Sequence, residues 1–238
     1  MGKIREAFFC QRIRAYPPGI SGQGRHHAKA EGQSVGRVAE KVESMIDKKH
    51  LFDTVRHALF DGKLNNDQVN GMDEIIDYYE RKEIGSRRKL AYILATVYHE
   101  TAKTMQPIKE RGGDNYFIMR YWNNRKVAKA LGNRSDRDAV MYCGRGFVQL
   151  TGRRNYTYVG GKIGMDLERN PNLAMDLKVA TKILFMGMEE GWFTRFKLST
   201  FINKDKTDFI NARRIINGTD KAVLIALYAE KYLIALSS

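Results

Sequence analysis

Residues 87–102 read Arg87-Arg-Lys-Leu-Ala-Tyr-Ile-Leu-Ala-Thr-Val-Tyr-His-Glu-Thr-Ala102. Apolar side chains fall almost all round a helix drawn through this stretch, so it predicts a central, buried helix. Gly85-Ser86 breaks the preceding segment, and Ser86 is a plausible N-cap. The stretch carries one carboxylate, Glu100, at its far end. Working outward, the helical period recurs. Val38, Val42, Met45, Phe52, Val55 and Leu59 fit one stripe, and Asp61-Gly62 marks a turn. Val69, Met72, Ile76 and Tyr79 fit one face of a helix near 67–82. Downstream, helices are expected at about 152–163, 176–190 with Gly191 as its stop, 207–216, and 220–236 with Thr219 as candidate cap. Residues 104–150 carry many glycines, polar residues and aromatics. Irregular structure is expected there, with one short helix near 124–131 and a small hairpin near 141–150. The result is a mainly α fold with a minor β element.

Residues 1–35 stand apart. They hold Pro17-Pro18 and His26-His27, and Phe8-Phe9 is their strong apolar pair. This composition reads as a flexible basic or non-native N-terminal extension, or as an arm that binds a partner. The folded domain is then 36–238. Apolar content of 43% suffices for a sizeable core, while the net charge of +14 is unusual. Such a field attracts polyanions: nucleic acid, an anionic membrane surface or an anionic cell wall. Simple solubility is the plain alternative. The two cysteines, Cys10 and Cys143, form no CxxC pair, so neither a zinc ribbon nor a disulfide framework is suggested. Cys143 reads as a small buried thiol. With no apolar run of about 18 residues, no membrane span is expected. The N-terminus lacks an apolar signal core, so no secretory signal is expected either.

Burial at the end of the central helix disfavours ionised Glu100 and raises its pKa. A carboxyl kept protonated near neutral pH can donate to a glycosidic oxygen. A surface salt bridge is the alternative. Glu110 lies in Met105-Gln-Pro-Ile-Lys-Glu-Arg-Gly-Gly113, which Pro107 and the glycine pair make a loop. A solvated loop carboxylate opposite a helix-end carboxyl suits an inverting hydrolase, where the two groups stand roughly 6.5–9.5 Å apart to admit water. A surface charge beside Lys109 and Arg111 is the alternative. His99-Glu100 also opens like a zinc-protease pattern, but position 103 is Lys, so no catalytic zinc is expected. The second informative stretch is Tyr142-Cys-Gly-Arg-Gly-Phe-Val-Gln-Leu-Thr-Gly-Arg-Arg-Asn155. Its polar row Gln149, Thr151 and Asn155 could face one groove, with the Thr151 hydroxyl holding a water and the amides meeting N-acetyl or hydroxyl groups. Helix capping by Thr151 competes with that reading. Tyr98, Tyr116, Phe117, Tyr121, Trp122, Tyr142, Tyr156 and Tyr158 crowd this half of the chain; some are core, and others suit sugar faces.

Together, His99-Glu100-Thr101, Tyr142 to Thr151, Asn155-Tyr156, Gly164-x-Asp166-Leu167 with Asn170-Pro171, and Ile215-Ile-Asn-Gly218 resemble glycoside hydrolase family 19. The motifs keep the family's order from Leu59 to the C-terminus. The resemblance implies a mainly α, lysozyme-like (α+β) fold: a helical bundle around a central buried helix, with a small β-hairpin lining a glycan cleft. It implies an inverting mechanism without cofactor or metal. Glu100 would be the general acid, Glu110 the general base, and Thr151 a holder of the attacking water. Gln149, Asn155 and Asn217 match cleft-lining positions, and His99, Tyr142 and Tyr156 are grouped with them as substrate-binding. Two cysteines and a short gap between the carboxylates resemble the bacterial and phage branch, whose members cut peptidoglycan. The partners implied are peptidoglycan or a chitin-type glycan and the anionic wall surface. A monomer held in the host bacterial cytoplasm until holin-dependent release is the expectation. The alternatives are a chitinase, or a non-catalytic module that binds glycan or nucleic acid.

Overall fold

The computed structural model describes residues 45–237. The N-terminal extension, Cys10, Val38 and Val42 lie outside the described residues. Eleven α-helices are found among the described residues: α1 Lys48–Leu59, α2 Asn66–Arg81, α3 Arg87–Glu100, α4 Asp114–Ile118, α5 Arg125–Leu131, α6 Asp136–Met141, α7 Arg153–Ile163, α8 Leu177–Glu190, α9 Leu198–Phe201, α10 Phe209–Ala212 and α11 Ala222–Ala235. Two short strands, β1 Ile108–Lys109 and β2 Arg145–Gly146, pair antiparallel, with Ile108 opposite Gly146 and Lys109 opposite Arg145.

Caps explain most helix starts. The Asp47 carboxylate accepts from His50 N–H, and Asn65 forms a reciprocal capping box with Gln68. Ser86 caps α3 as expected, and Asp176 caps α8. Such caps satisfy donors that the helix leaves open, at about 1 kcal/mol each. Gly164 and Gly191 end α7 and α8 in the left-handed conformation.

Helix α3 is the centre of the molecule. Every side chain from Leu90 to Tyr98 is buried. Helix α11 lies along it, and α1 and α10 pack against α11. A large apolar side chain contributes about 1.5–3 kcal/mol on full burial, so this pair is the main source of cohesion. A smaller cluster of Phe117, Tyr121, Leu131, Ala139 and Cys143 fills the lobe made by α4 to α6.

The structure corrects several expectations. Met45 precedes α1 and is 84% exposed, so it lies off the stripe that Val55 and Leu59 bury. The sheet joins segments far apart in the chain instead of forming a local hairpin at 141–150; only an Arg145–Leu150 bridge closes that turn. Residues 114–123 and 136–141 are helical, including a π-helical turn at Met119–Asn123. The helix expected at 207–216 divides into α10 and a 3₁₀ turn, Arg213–Ile215. Helix α11 begins after Lys221, whose φ is +56°, and Thr219 does not cap it. No helix among the described residues is long and apolar enough to cross a membrane.

Candidate active site

Glu100 occupies the last turn of α3, so the packing of α11 and its preceding loop encloses it. Its side chain has no exposed surface. The Arg213 guanidinium donates Nη1–H to Glu100 Oε1 and Nε–H to the Asp220 carbonyl at 2.9 Å. Glu100 Oε2 has no hydrogen-bond partner. Burial pushes the Glu100 carboxyl up to about 7, against the downward pull of Arg213. The arrangement separates two jobs: Arg213 orients one oxygen, and the other is left for a proton. His99, half-buried beside the Tyr228 ring, is pushed down to about 4 by burial and by the Arg213 charge. It is therefore neutral at physiological pH.

The connector from Glu100 to Glu110 is tightly determined. Ala102, Lys103 and Met105 all have positive φ, at 51°, 70° and 55°. Non-glycine residues in this region cost about 1 kcal/mol or more each, and persist only where their surroundings hold them. Thr101, the third residue of the His-Glu-Thr triplet, supplies part of that hold: its hydroxyl donates to the Val97 carbonyl at 2.7 Å and accepts from Met105 N–H at 3.1 Å. Helix α2 supplies the rest. Gln68 Nε2 donates to the Lys103 carbonyl at 3.0 Å, and Gln106 Nε2 to the Asp67 carbonyl at 2.5 Å. At Gly71 the α2 backbone approaches so closely that a Cβ would stand 1.8 Å from the Met105 carbonyl oxygen. A groove lined by Asn65, Gln68, Lys103, Thr104, Gln106 and Ile108 opens beside the connector.

Glu110 follows β1 directly, and β-pairing sets its height. Its backbone N–H donates to the Gly144 carbonyl at 2.8 Å, and the Gly144 N–H donates back to Oε2 at 3.1 Å. The Tyr121 hydroxyl lies 2.8 Å from Oε1 and 2.9 Å from Oε2. Tyr116 Oη approaches Oε1 at 3.4 Å. These N–H and O–H donors suit a carboxylate anion. A Cβ built on Gly144 would meet Gln149 Oε1 at 2.7 Å, Glu110 Oε2 at 3.2 Å and Thr151 Oγ1 at 3.3 Å. Three polar groups expected from the sequence therefore surround one point, and only glycine fits there.

Gln149 sits at φ +54°, held by Nε2–H donation to the Ile108 carbonyl at 2.8 Å and to the Gly146 carbonyl at 3.2 Å. Thr151 is buried, and its hydroxyl donates to the Gln149 carbonyl at 2.8 Å instead of capping α7. Its lone pairs remain able to accept. Asn155 Nδ2 donates to the Thr151 carbonyl at 2.7 Å. Asn217 lies on the loop after Arg213, its N–H on the Arg213 carbonyl at 2.9 Å. Tyr142 and Tyr156 are 2% and 0% exposed. Their hydroxyls donate to the carbonyls of Glu168 and Cys143, so both rings brace the site from inside and present no face to a ligand. Cys143 is a buried thiol, pushed up by burial. Arg213 escaped the sequence reading, although it adjoins the Ile215–Gly218 motif. Tyr121 was visible there only as one of many aromatics.

Fold and site define a lysozyme-like helical protein in which one enclosed carboxyl and one donor-rich carboxylate follow each other on a strained connector. No family model matches the chain. The chain superposes on chitinase C of Streptomyces griseus HUT6037 with a TM-score of 0.55 at 19% identity, over 88% of this chain and 81% of that one. An 87-residue stretch, 37% of the chain, is 34% identical to Chitinase 8 of Oryza sativa subsp. japonica, and spans 29% of that protein. A bacterial family 19 chitinase aligns over 78% of this chain and 95% of its own at 19% identity; its TM-score of 0.39 carries no weight. The chain is chitinase-like in fold, as its motifs led one to expect.

Proposed function

We propose that this protein is a glycoside hydrolase that cuts β-1,4 bonds of an N-acetylated glycan by single displacement. The observation that carries the reading is the state of Glu100: enclosed, pushed up to about 7, with Arg213 on one oxygen and nothing on the other. A carboxyl of that kind holds a proton near neutral pH and can pass it to a leaving glycosidic oxygen. Glu110 then takes a proton from water held near Thr151 and Gln149, and that water attacks the anomeric carbon from the opposite face. The C–O bond to the leaving sugar breaks as the new one forms, so the product anomer is inverted.

Within this class we favour peptidoglycan, cut between N-acetylmuramic acid and N-acetylglucosamine in the manner of an endolysin that is released from the host cytoplasm by a holin. The net charge of +14 supports that choice, because it suits an anionic wall. Chitin is the second reading, supported by the names of the similar proteins. Reductive labelling of the sugar ends freed from purified peptidoglycan tests the first, and release of chitooligosaccharides tests the second. Glu100→Gln and Glu110→Gln should each lower turnover by about 10²–10⁴-fold while substrate binding persists. Parent-like turnover in either variant would overturn that residue's assignment.

A further inference from the structure

The hydroxyl of Tyr121 touches both oxygens of Glu110, at 2.8 and 2.9 Å. The tyrosine is 1% exposed and sits in the π-helical turn Met119–Asn123. A π turn places one extra residue in the helix, is rare, and is frequent at functional sites. Here it lies between α4 and α5, and the Tyr121 ring stacks on Phe117 with an interplanar angle of 8° and a centroid separation of 6.4 Å. The stack limits rotation of the ring. One further brace fixes the backbone. Asn133 Nδ2 donates to the Tyr121 carbonyl at 3.1 Å, and Asn133 Oδ1 accepts from Arg153 N–H at 3.1 Å. Arg153 is the first residue of α7, two positions after Thr151. Its guanidinium is clamped on Asp138 by two contacts of 2.8 Å. Asn133 thus ties the turn carrying Tyr121 to the helix start that follows Thr151.

We propose that Tyr121 is a positioning residue for the base Glu110, held in register with Thr151 through Asn133. The inference rests on the hydrolase reading above and adds to it a residue that sets how the base is presented. A hydroxyl shared by both oxygens fixes the plane of the carboxylate. The edge of that carboxylate which meets water is then set before substrate arrives. Gly144 N–H holds Oε2 from another direction. Loss of the Tyr121 hydroxyl leaves the carboxylate free to turn on its two terminal bonds.

The test is Tyr121→Phe, with Glu110→Gln as control, assayed on permeabilised bacteria and on chitooligosaccharides. Tyr121→Phe keeps the ring and its stack on Phe117, so the melting temperature should move by only a few degrees. Turnover should fall about tenfold to a hundredfold, the loss expected for one hydrogen bond to a charged group. KM should stay near the parent value, so that the loss falls on kcat. Asn133→Ala should show a smaller fall of the same kind. Parent-like kcat in Tyr121→Phe, with Glu110→Gln inactive, would overturn the proposal and leave the hydrolase reading standing. Full activity in Glu110→Gln would instead overturn the assignment of the base on which the proposal depends.

Discussion

His99 and Glu100 adjoin in sequence and have opposite proton linkage. Glu100 is moved from an ordinary 4.5 up to about 7 by burial. It binds more protons folded than unfolded between those values. Its stabilising contribution is therefore full below pH 4.5 and lost as pH rises through about 7. His99 is moved from 6.5 down to about 4. It binds fewer protons when folded, so its contribution is full above pH 6.5 and lost as pH falls through about 4. At about 1.4 kcal/mol per pH unit, Glu100 carries roughly 3 kcal/mol across the window. His99, only half-buried, carries roughly 2 after discounting for solvent screening. The two slopes oppose each other, and these residues together should leave the parent's stability falling by only about 1 kcal/mol from pH 4.5 to 6.5. Glu100→Gln removes the falling slope and exposes the rising one. The uncompensated Arg213 offsets the whole variant curve by an amount that does not vary with pH, because a guanidinium stays charged throughout. The readout is thus the difference in slope. Urea unfolding followed by circular dichroism, in half-unit steps from pH 4 to 8, should show parent minus variant falling by about 3 kcal/mol. Parallel curves would refute the claim that Glu100 is held protonated by the fold.

Two backbone approaches give further tests. Gly71→Ala drives a Cβ to 1.8 Å from the Met105 carbonyl and must push the connector off α2; it should cost about 1–3 kcal/mol in urea unfolding and lower turnover as well. Gly144→Ala intrudes among Gln149, Glu110 and Thr151; turnover should drop by about tenfold or more with only a few degrees of change in melting temperature, the cost of misplacing groups at the reacting centre. Unchanged turnover in that variant would mean that the three groups do not serve one reacting water.

Much of this was legible in the chain because it depends on local pattern. Helix α3 reads directly from its apolar run and its Ser86 cap, α2 from its apolar face, and α8 from its Gly191 stop. The convergence of Glu110, Gln149 and Thr151 was readable as residue types in a loop, but their meeting point was not. It depends on Ile108 pairing with Gly146, a contact between distant segments that no local period announces. The π turn carrying Tyr121 likewise has no sequence signature, since it differs from an α turn by one inserted residue. Arg213 was lost for a similar reason. It lies 113 residues from Glu100, inside a segment expected as one continuous helix over 207–216. The break into α10 and a 3₁₀ turn is what aims its guanidinium at the carboxyl. Tyr142 and Tyr156 mislead in the opposite sense: aromatic residues next to a polar row suit sugar contact, yet core packing claims both.

The two carboxylates are prepared differently, and the difference bears on how the proposed reaction would run. Glu110 is half-buried, and its fixed donors come from the sheet edge and the π turn. Glu100 is shut in, and the enclosure that raises its proton affinity also keeps a glycosidic oxygen from Oε2. Both properties cannot serve catalysis at one moment. The group over Glu100, Arg213, belongs to a 3₁₀ turn followed by an exposed run from Gly218 to Lys221, ending in a left-handed residue. Arg213 and Ile215 of that turn are buried, but the run from Gly218 to Lys221 has no buried side chain to anchor it, whereas the connector below Glu100 is pinned to α2 at several points. Opening for a sugar would therefore fall on the Arg213 side, leaving the connector and the spacing it sets undisturbed.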